Sequence, residues 1–295
     1  MINRIIIFLF LITISFSQAV NNYSFNTAES ASMAGSVVAS KGGDWSLYNN
    51  PATLSDIQMR QVSINYSNLY NQTYLPLSSY GVIVPTKYGI NLGVKHIAFN
   101  VEYEEVELLN ENITGIVGSI DLLRDKNSTL SIGFSANYHS IKLGKSAGSS
   151  GDGTNGISGN SIESASIDLG FLASLRQKYR FGVFIENINS SSLGNGITSQ
   201  NLPRKINIGF SLIPYDYLAV SFSTEQLLGY DSPQFRSSVK YYLNKMLCLN
   251  AGIQTNPNRL GVGFVVEAKN LSLSYGYLTH HILPGTHQSS IGFKF

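Results

Sequence analysis

The sequence predicts an all-β protein: a transmembrane, antiparallel up-and-down β-barrel of about 14 strands, preceded by a short segment that is not strand. Three observations carry this prediction. From residue 61 onward, apolar and polar residues alternate with period two, and turn residues interrupt the pattern roughly every 8 to 15 positions. The polar face of that alternation is Ser, Gly, Asn and Gln, and only 13% of the chain is Asp, Glu, Lys or Arg, about half the share of an average soluble domain. The chain also ends on an amphipathic strand, in which Ile291, Phe293 and Phe295 face away from Ser290, Gly292 and Lys294.

Taken in order, the first element is an export signal. Arg4 precedes an apolar run over 5–16, and Ser17-Gln18-Ala19 places small residues at the −3 and −1 positions of a cleavage site, so residues 1–19 read as a cleaved signal peptide. The run is well short of the roughly 20 apolar residues that a membrane-spanning helix needs. The single cysteine, Cys248, excludes a lipid anchor at the cleavage site, a disulfide framework and a Cys-based metal site. Residues 20–60 do not alternate. A short helix is expected over 27–39, capped by Thr27 or Asn26. Two readings stand for this stretch: a flexible periplasmic leader, or a plug inside the barrel, since about 14 strands enclose more space than their own side chains fill.

Residues 61–295 form the expected barrel, with strands near 61–70, 78–86, 89–108, 114–124, 128–143, 161–176, 179–188, 204–213, 217–227, 234–243, 246–255, 259–268, 271–280 and 287–295. Leu130, Ile132, Phe134, Ala136 and Tyr138 share one face of their strand, and Ser131, Gly133, Ser135, Asn137 and His139 share the other. A soluble sandwich would carry Lys, Glu, Asp and Arg on its polar face. Small polar residues suit a wall with lipid outside and a lumen inside. The connections alternate between tight and longer, which is the asymmetry of periplasmic turns and outer loops, although 110–113 and 256–258 read as short turns on the outer side. Many of the 17 tyrosines fall near strand ends, where a ring with one wet end suits a headgroup belt.

Several stretches carry a resemblance. Ser32-Met33-Ala34-Gly35, Asp44 and Asn50-Pro51-Ala52 with Leu54 stand just before the first strand. With Leu202-Pro203 and Tyr277-x3-His281-x-Leu283-x-Gly285-Thr286-His287 further on, they resemble the FadL-like outer-membrane proteins, and within them the PorV/PorQ branch. Thr53 and Ala34 depart from the pattern. The resemblance makes residues 20–60 an N-terminal hatch, with Met33, Gly35, Asn50, Pro51 and Ala52 as its motif residues. The terminal Ile291, Phe293 and Phe295 resemble the C-terminal signal by which outer-membrane barrels are recognised for insertion. Its implications are the outer membrane of a Gram-negative, Bacteroidota-like bacterium, and as partners membrane lipid, the barrel-assembly machinery and the proteins and cargo of a type IX-like secretion system. The role implied is an accessory in secretion or surface attachment of proteins; the alternative is passive transport of hydrophobic small molecules.

Little chemistry is expected. His139 with Ser140, and His280-His281 with Ser289, lack a third catalytic partner, and adjacent histidines on a strand point to opposite faces, which argues against a metal site. No cofactor is expected and the chain reads as non-enzymatic. A net charge of +2 with scattered basic residues excludes nucleic acid as a partner.

Overall fold

The computed structural model describes residues 25–86, 89–104, 106–149, 151, 155–157, 159, 161–194, 200–229 and 232–295. The signal expected over 1–19 lies outside them. The barrel strands are β1 (Gln61–Asn68), β2 (Pro76–Pro85), β3 (Ile90–Tyr103), β4 (Val106–Arg124), β5 (Ser128–Leu143), β6 (Ser161–Leu175) and β7 (Tyr179–Glu186). After a small ribbon of β8 (Ser192–Leu193) and β9 (Gln200–Asn201) come β10 (Lys205–Tyr215), β11 (Leu218–Leu227), β12 (Gln234–Tyr242), β13 (Leu247–Gln254), β14 (Arg259–Ala268), β15 (Leu271–Leu278) and β16 (Thr286–Lys294). Apart from the ribbon, each strand pairs with its neighbours in sequence, and β1 closes on β16 from Gln61↔Lys294 to Asn68↔His287. The result is a closed antiparallel barrel of 14 strands, as the alternation predicts.

Its burial is the inverse of a soluble protein's. On β1, Gln61, Ser63, Asn65 and Ser67 are buried, whereas Ile64 and Tyr66 are half exposed. On β5 the buried residues include Ser131, Ser135, Asn137 and His139, and the exposed ones include Phe134 and Tyr138. Apolar side chains cover the outside because lipid solvates them there, and backbone closure leaves no unpaired edge in hydrocarbon.

Aromatic residues mark two levels on this outer surface. Tyr215, Tyr217 and Tyr241 meet at the end with the short turns, with ring centroids 5.3 and 5.9 Å apart. Toward the long-loop end, Tyr80 stacks on His96 at 6.1 Å, His96 hydrogen-bonds Thr114, and Thr114 lies opposite Tyr138 in register. These rows fit the two headgroup levels of a bilayer.

The hairpins of β3–β4 and β5–β6 continue past the outer row. β4 has 19 residues, about twice the 9–11 that suffice to cross a bilayer. This explains the one misplaced turn. Asn110, Glu111 and Asn112 read as a break, but they lie within β4, and the chain reverses instead between Tyr103 and Val106. Above the lipid a strand no longer needs an apolar face, so polar residues there do not signal a turn.

Candidate functional site

Residues 25–60 lie inside the barrel. Thr27 caps α1 (Ala28–Ser32), accepting from Ser30 N at 3.2 Å while Thr27 N donates to Ser30 Oγ. The helix expected to run to residue 39 stops at Ser32. Ala34 and Gly35 take positive φ angles of 47° and 76°, which no α-helix accommodates. Gly35 also lies so close to Arg236 and Phe25 that a side chain there would displace one of them. After α2 (Ser46–Asn49), a 3₁₀ turn over Pro51–Asp56 begins with proline at its first position. Asn50 joins two parts of the segment: its side-chain Oδ1 accepts from Ala52 N at 3.1 Å, and its Nδ2 donates to Val38 O at 2.7 Å. Thr53, a departure from the family pattern, is fully buried and donates to Asn50 O at 2.7 Å.

The wall is shaped to this segment in two ways. First, inward glycines let backbone meet backbone. A methyl group added at Gly133 would collide with Pro51 and Ala52, at Gly182 with Val38, at Gly252 with Met33 and at Gly276 with Ala28. Second, polar side chains of the wall take up backbone groups of the segment that would otherwise be buried without a partner. Ser79 donates to Asn26 O at 2.6 Å, Asn91 to Ile57 O at 2.9 Å, Arg180 to Ala39 O at 2.9 Å and Ser238 to Ser36 O at 3.2 Å; Ser290 accepts from Ala28 N at 2.9 Å. Ion pairs add Glu29–Lys240 at 2.6 Å and Asp56–Arg180. Apolar contact is concentrated on one side, where Leu47, Tyr48, Leu54 and Ile57 pack on Leu77, Ile83, Ile97, Phe99 and Val117.

At the short-turn end, half-buried Asp44 stands beside Glu29. Burial, and then the Glu29 charge, raise its pKa to about 7.

Toward the long loops the segment leaves a cavity of about 610 Å³. Its lining combines apolar Phe25, Leu75, Leu77, Phe99 and Leu278 with polar Glu225, Arg236, Gln254 and Arg259. Behind it runs a chain of inward charges: Lys205 pairs with Glu186 at 2.7 Å, Glu225 with Arg236 at 2.8 Å, and Lys95 with Asp168 at 3.9 Å. Sequence analysis passed over these residues. Their signal was parity, since each occupies an inward position of the alternation where the neighbouring strands carry Ser or Gly.

The structure places the motif residues Met33, Gly35, Asn50, Pro51 and Ala52 together in the lumenal segment, on two sides of it. Met33 and Gly35 lean on β12 and β13, whereas Asn50, Pro51 and Ala52 lean on β5 and β6. Ile291, Phe293 and Phe295 are separate from them, half exposed on the outer surface of β16 and its end. His139 is buried in the wall with Nε2 2.9 Å from Ser166 Oγ, not beside Ser140. His280 and His281 are in the last loop, not on a strand, so period two does not separate them and their rings lie 4.4 Å apart. His287 instead meets the Tyr275 hydroxyl at 2.6 Å. Among the described residues no three or more His, Cys, Asp or Glu side chains gather to hold a metal.

A closed 14-strand barrel with a folded N-terminal segment in its lumen is the architecture of FadL-like outer-membrane proteins, and solved structures agree. The toluene transporter TbuX of Ralstonia pickettii matches with a TM-score of 0.62 at 13% identity, covering 93% of this chain and 99% of that one. The monoaromatic hydrocarbon channel CymD gives 0.64 at 15%, with 94% and 99% covered. A FadL homologue of Pseudomonas aeruginosa gives 0.58 at 12%, with 92% and 98% covered. At these identities the likeness is one of fold. The family is shown by sequence: residues 46–293 match the type IX secretion system membrane protein PorP/SprF, and the chain belongs to that family. The match does not specifically show the PorV/PorQ branch to which the motifs pointed, and both readings lead to type IX secretion. No curated protein shows significant sequence similarity.

Proposed function

We propose that this protein is a non-enzymatic platform of a type IX-like secretion system in the outer membrane, acting in secretion or surface attachment of proteins, the accessory role that the PorV/PorQ resemblance also implied. One observation carries the reading beyond the family assignment. Residues 25–60 lie across the lumen below the cavity, and their hydrogen bonds and glycine contacts reach many strands of the wall, so these residues act as a hatch over the bore. A barrel closed in this way has its projecting hairpins β3–β4 and β5–β6 to offer to proteins outside. Residues 1–19 serve as the export signal, Ile291, Phe293 and Phe295 as the mark for the barrel-assembly machinery, and lipid is the solvent of the outer wall.

The cavity supports a second reading, in which hydrophobic small molecules enter from outside as in the transporters of similar fold. Gene deletion separates the two. Under the secretion reading the deletion strain loses secreted and surface-attached proteins while uptake of a hydrophobic fluorescent probe stays at the parental level. Unchanged secretion would sink that reading, and reduced probe uptake in its place would establish the other.

A further inference from the structure

We propose that the outer wall between β7 and β13 binds one lipid of the outer leaflet, with a phosphate of its head on Arg204 and one acyl chain in a groove nearer the middle of the membrane. The inference is independent of the secretion reading, because this wall meets lipid whatever the barrel does for proteins.

Shape is the first argument. Phe181, Phe210, Phe222, Phe235 and Ile253, outward side chains of neighbouring strands, border a hollow of about 430 Å³ on the lipid-facing surface. It arises because two outward positions there are small. Thr224 stands opposite Phe235 and Ser237 opposite Phe222 in the pairing of β11 with β12, so each lies beside a ring that is about half exposed. In hydrocarbon such a hollow is packed by lipid chains, which supply the dispersion contacts its lining lacks.

Level is the second argument. β10 has 11 residues, enough to cross a bilayer, and its inner end, Tyr215, stands in the row of tyrosines at the short turns. Its other end, Lys205, therefore reaches the outer headgroup level, and Arg204 is the next residue. Leu228 N donates to Arg204 O at 2.9 Å, so the pairing with β11 continues there. By the alternation of β10, Arg204 belongs to the outward face with Ile206, Ile208 and Phe210. Ile208 lines the groove, and four residues of strand separate it from Arg204 by roughly 13 Å, less than half of the ~30 Å hydrocarbon core. A lipid with its head on Arg204 thus has its chain at the depth of the groove.

The third argument is charge. The carboxylates nearest in register, Glu186 and Glu225, face the lumen and pair there with Lys205 and Arg236. Among the described residues Arg204 meets only neutral acceptors: its Nη2 donates to Ile188 O at 3.2 Å and to the Ser190 hydroxyl, and its Nε is buried without a partner. A phosphate offers anionic oxygens that a guanidinium can bind two at a time. Within lipid the groove gains only packing, since a chain is as well solvated elsewhere on the wall. The head contact therefore decides which lipid stays, and the groove decides where its chain lies.

The test places the full chain in phosphatidylcholine nanodiscs doped with monophosphoryl lipid A, or with the same lipid stripped of its phosphate, and counts the retained dopant by native mass spectrometry. The phosphorylated form should be retained about tenfold more, the margin expected of a charge-assisted contact. Arg204→Gln should abolish that preference, and Arg204→Lys should keep part of it. Ser237→Phe fills the groove and should lower retention of both forms alike. Ser190→Gly removes a neutral partner of Arg204 and should leave the preference intact, which separates the charge from the shape of the loop. Arg176→Gln, at an exposed turn of the opposite end, is the control. Heat-dependent gel mobility confirms that each variant is folded. Equal retention of the two forms by the parent, a preference that survives Arg204→Gln, or undiminished retention after Ser237→Phe would each overturn the proposal.

Discussion

Two parts of the lumenal wall are of the same kind and have opposite contents. Where residues 25–60 lie against it, inward glycines such as Gly133, Gly182, Gly252 and Gly276 let backbone approach, and Ser, Asn and Arg side chains take up its polar groups. Around the cavity toward the long loops, inward positions carry Glu225, Arg236, Gln254 and Arg259 instead. The difference teaches that an inward side chain in a barrel is chosen by what it must meet. Where backbone must approach, any side chain is too large, and the polar atoms that remain serve to satisfy amides. Where nothing approaches, charges pair with one another across the strands and keep the bore hydrated.

The sharpest way to break this contrast is to put a large side chain at a glycine that faces the segment. Gly252→Leu would drive carbon atoms into the backbone of Met33, and no rotamer avoids the contact because the colliding atoms begin at Cβ. The expected result is a barrel that still forms but with the lumenal segment unseated, giving large single-channel conductance in planar bilayers where the parent protein shows little. The same leucine at Gly229, where nothing lies within 4 Å of an added Cβ, should leave conductance low, although its φ of 97° makes that site mildly strained. Equal conductance in both variants would show that the glycines are not what admits the segment.

A smaller effect is expected from the ties. Arg180 joins the wall to Ala39 O, Ser40 O and the Asp56 carboxylate, and it is almost completely buried. Arg180→Ala leaves Asp56 facing the lumen without its partner and two carbonyls without donors, a loss on the order of 3–5 kcal/mol. The double variant with Asp56→Ala should recover part of it, since only the carbonyls then lack partners. Thermal unfolding of the single and double variants measures both terms. If the double variant is as unstable as the sum of the singles, the ion pair is not a coupled tie.

How much of this was open to sequence reasoning follows from the same contrast. All fourteen strands could be placed, with one turn misplaced, because lipid outside and polar lumen inside impose period two with few exceptions. The missed turn at 110–113 belongs to β4 above the membrane, where that constraint ends. Glycine on the polar face announced that something comes close to the wall, but not which residues do. The short α1 was misjudged because an Ala- and Ser-rich run has good helix propensity, and only the tertiary fit of Gly35 against Arg236 shows why the chain turns at Ala34. The cavity was illegible for a different reason. Arg236, Arg259 and Phe25 are far apart in sequence, and a single Arg on a strand of Ser and Gly looks like an ordinary lumenal charge until its neighbours are seen to be occupied.

The smallest expected effect concerns the seal at the short-turn end. Asp44 has its pKa raised from the ordinary 3.8 to about 7, chiefly by burial and then by the adjacent Glu29 carboxylate, with Lys240 and Lys294 pulling the other way. An acid whose pKa is higher in the folded than in the unfolded state favours folding when protonated. Its contribution is therefore complete below about pH 4, is lost as pH rises toward 7, and stays absent above that. Asp44→Asn is uncharged throughout and lacks this dependence. The unfolding temperatures of the two proteins should lie close together at low pH, and the parent should fall below the variant by a few degrees at pH 8, a modest gap because Asp44 keeps some contact with water. A gap that stays constant across this range would mean that Asp44 is ionised in the seated segment, with Lys240 and Lys294 together outweighing both burial and Glu29.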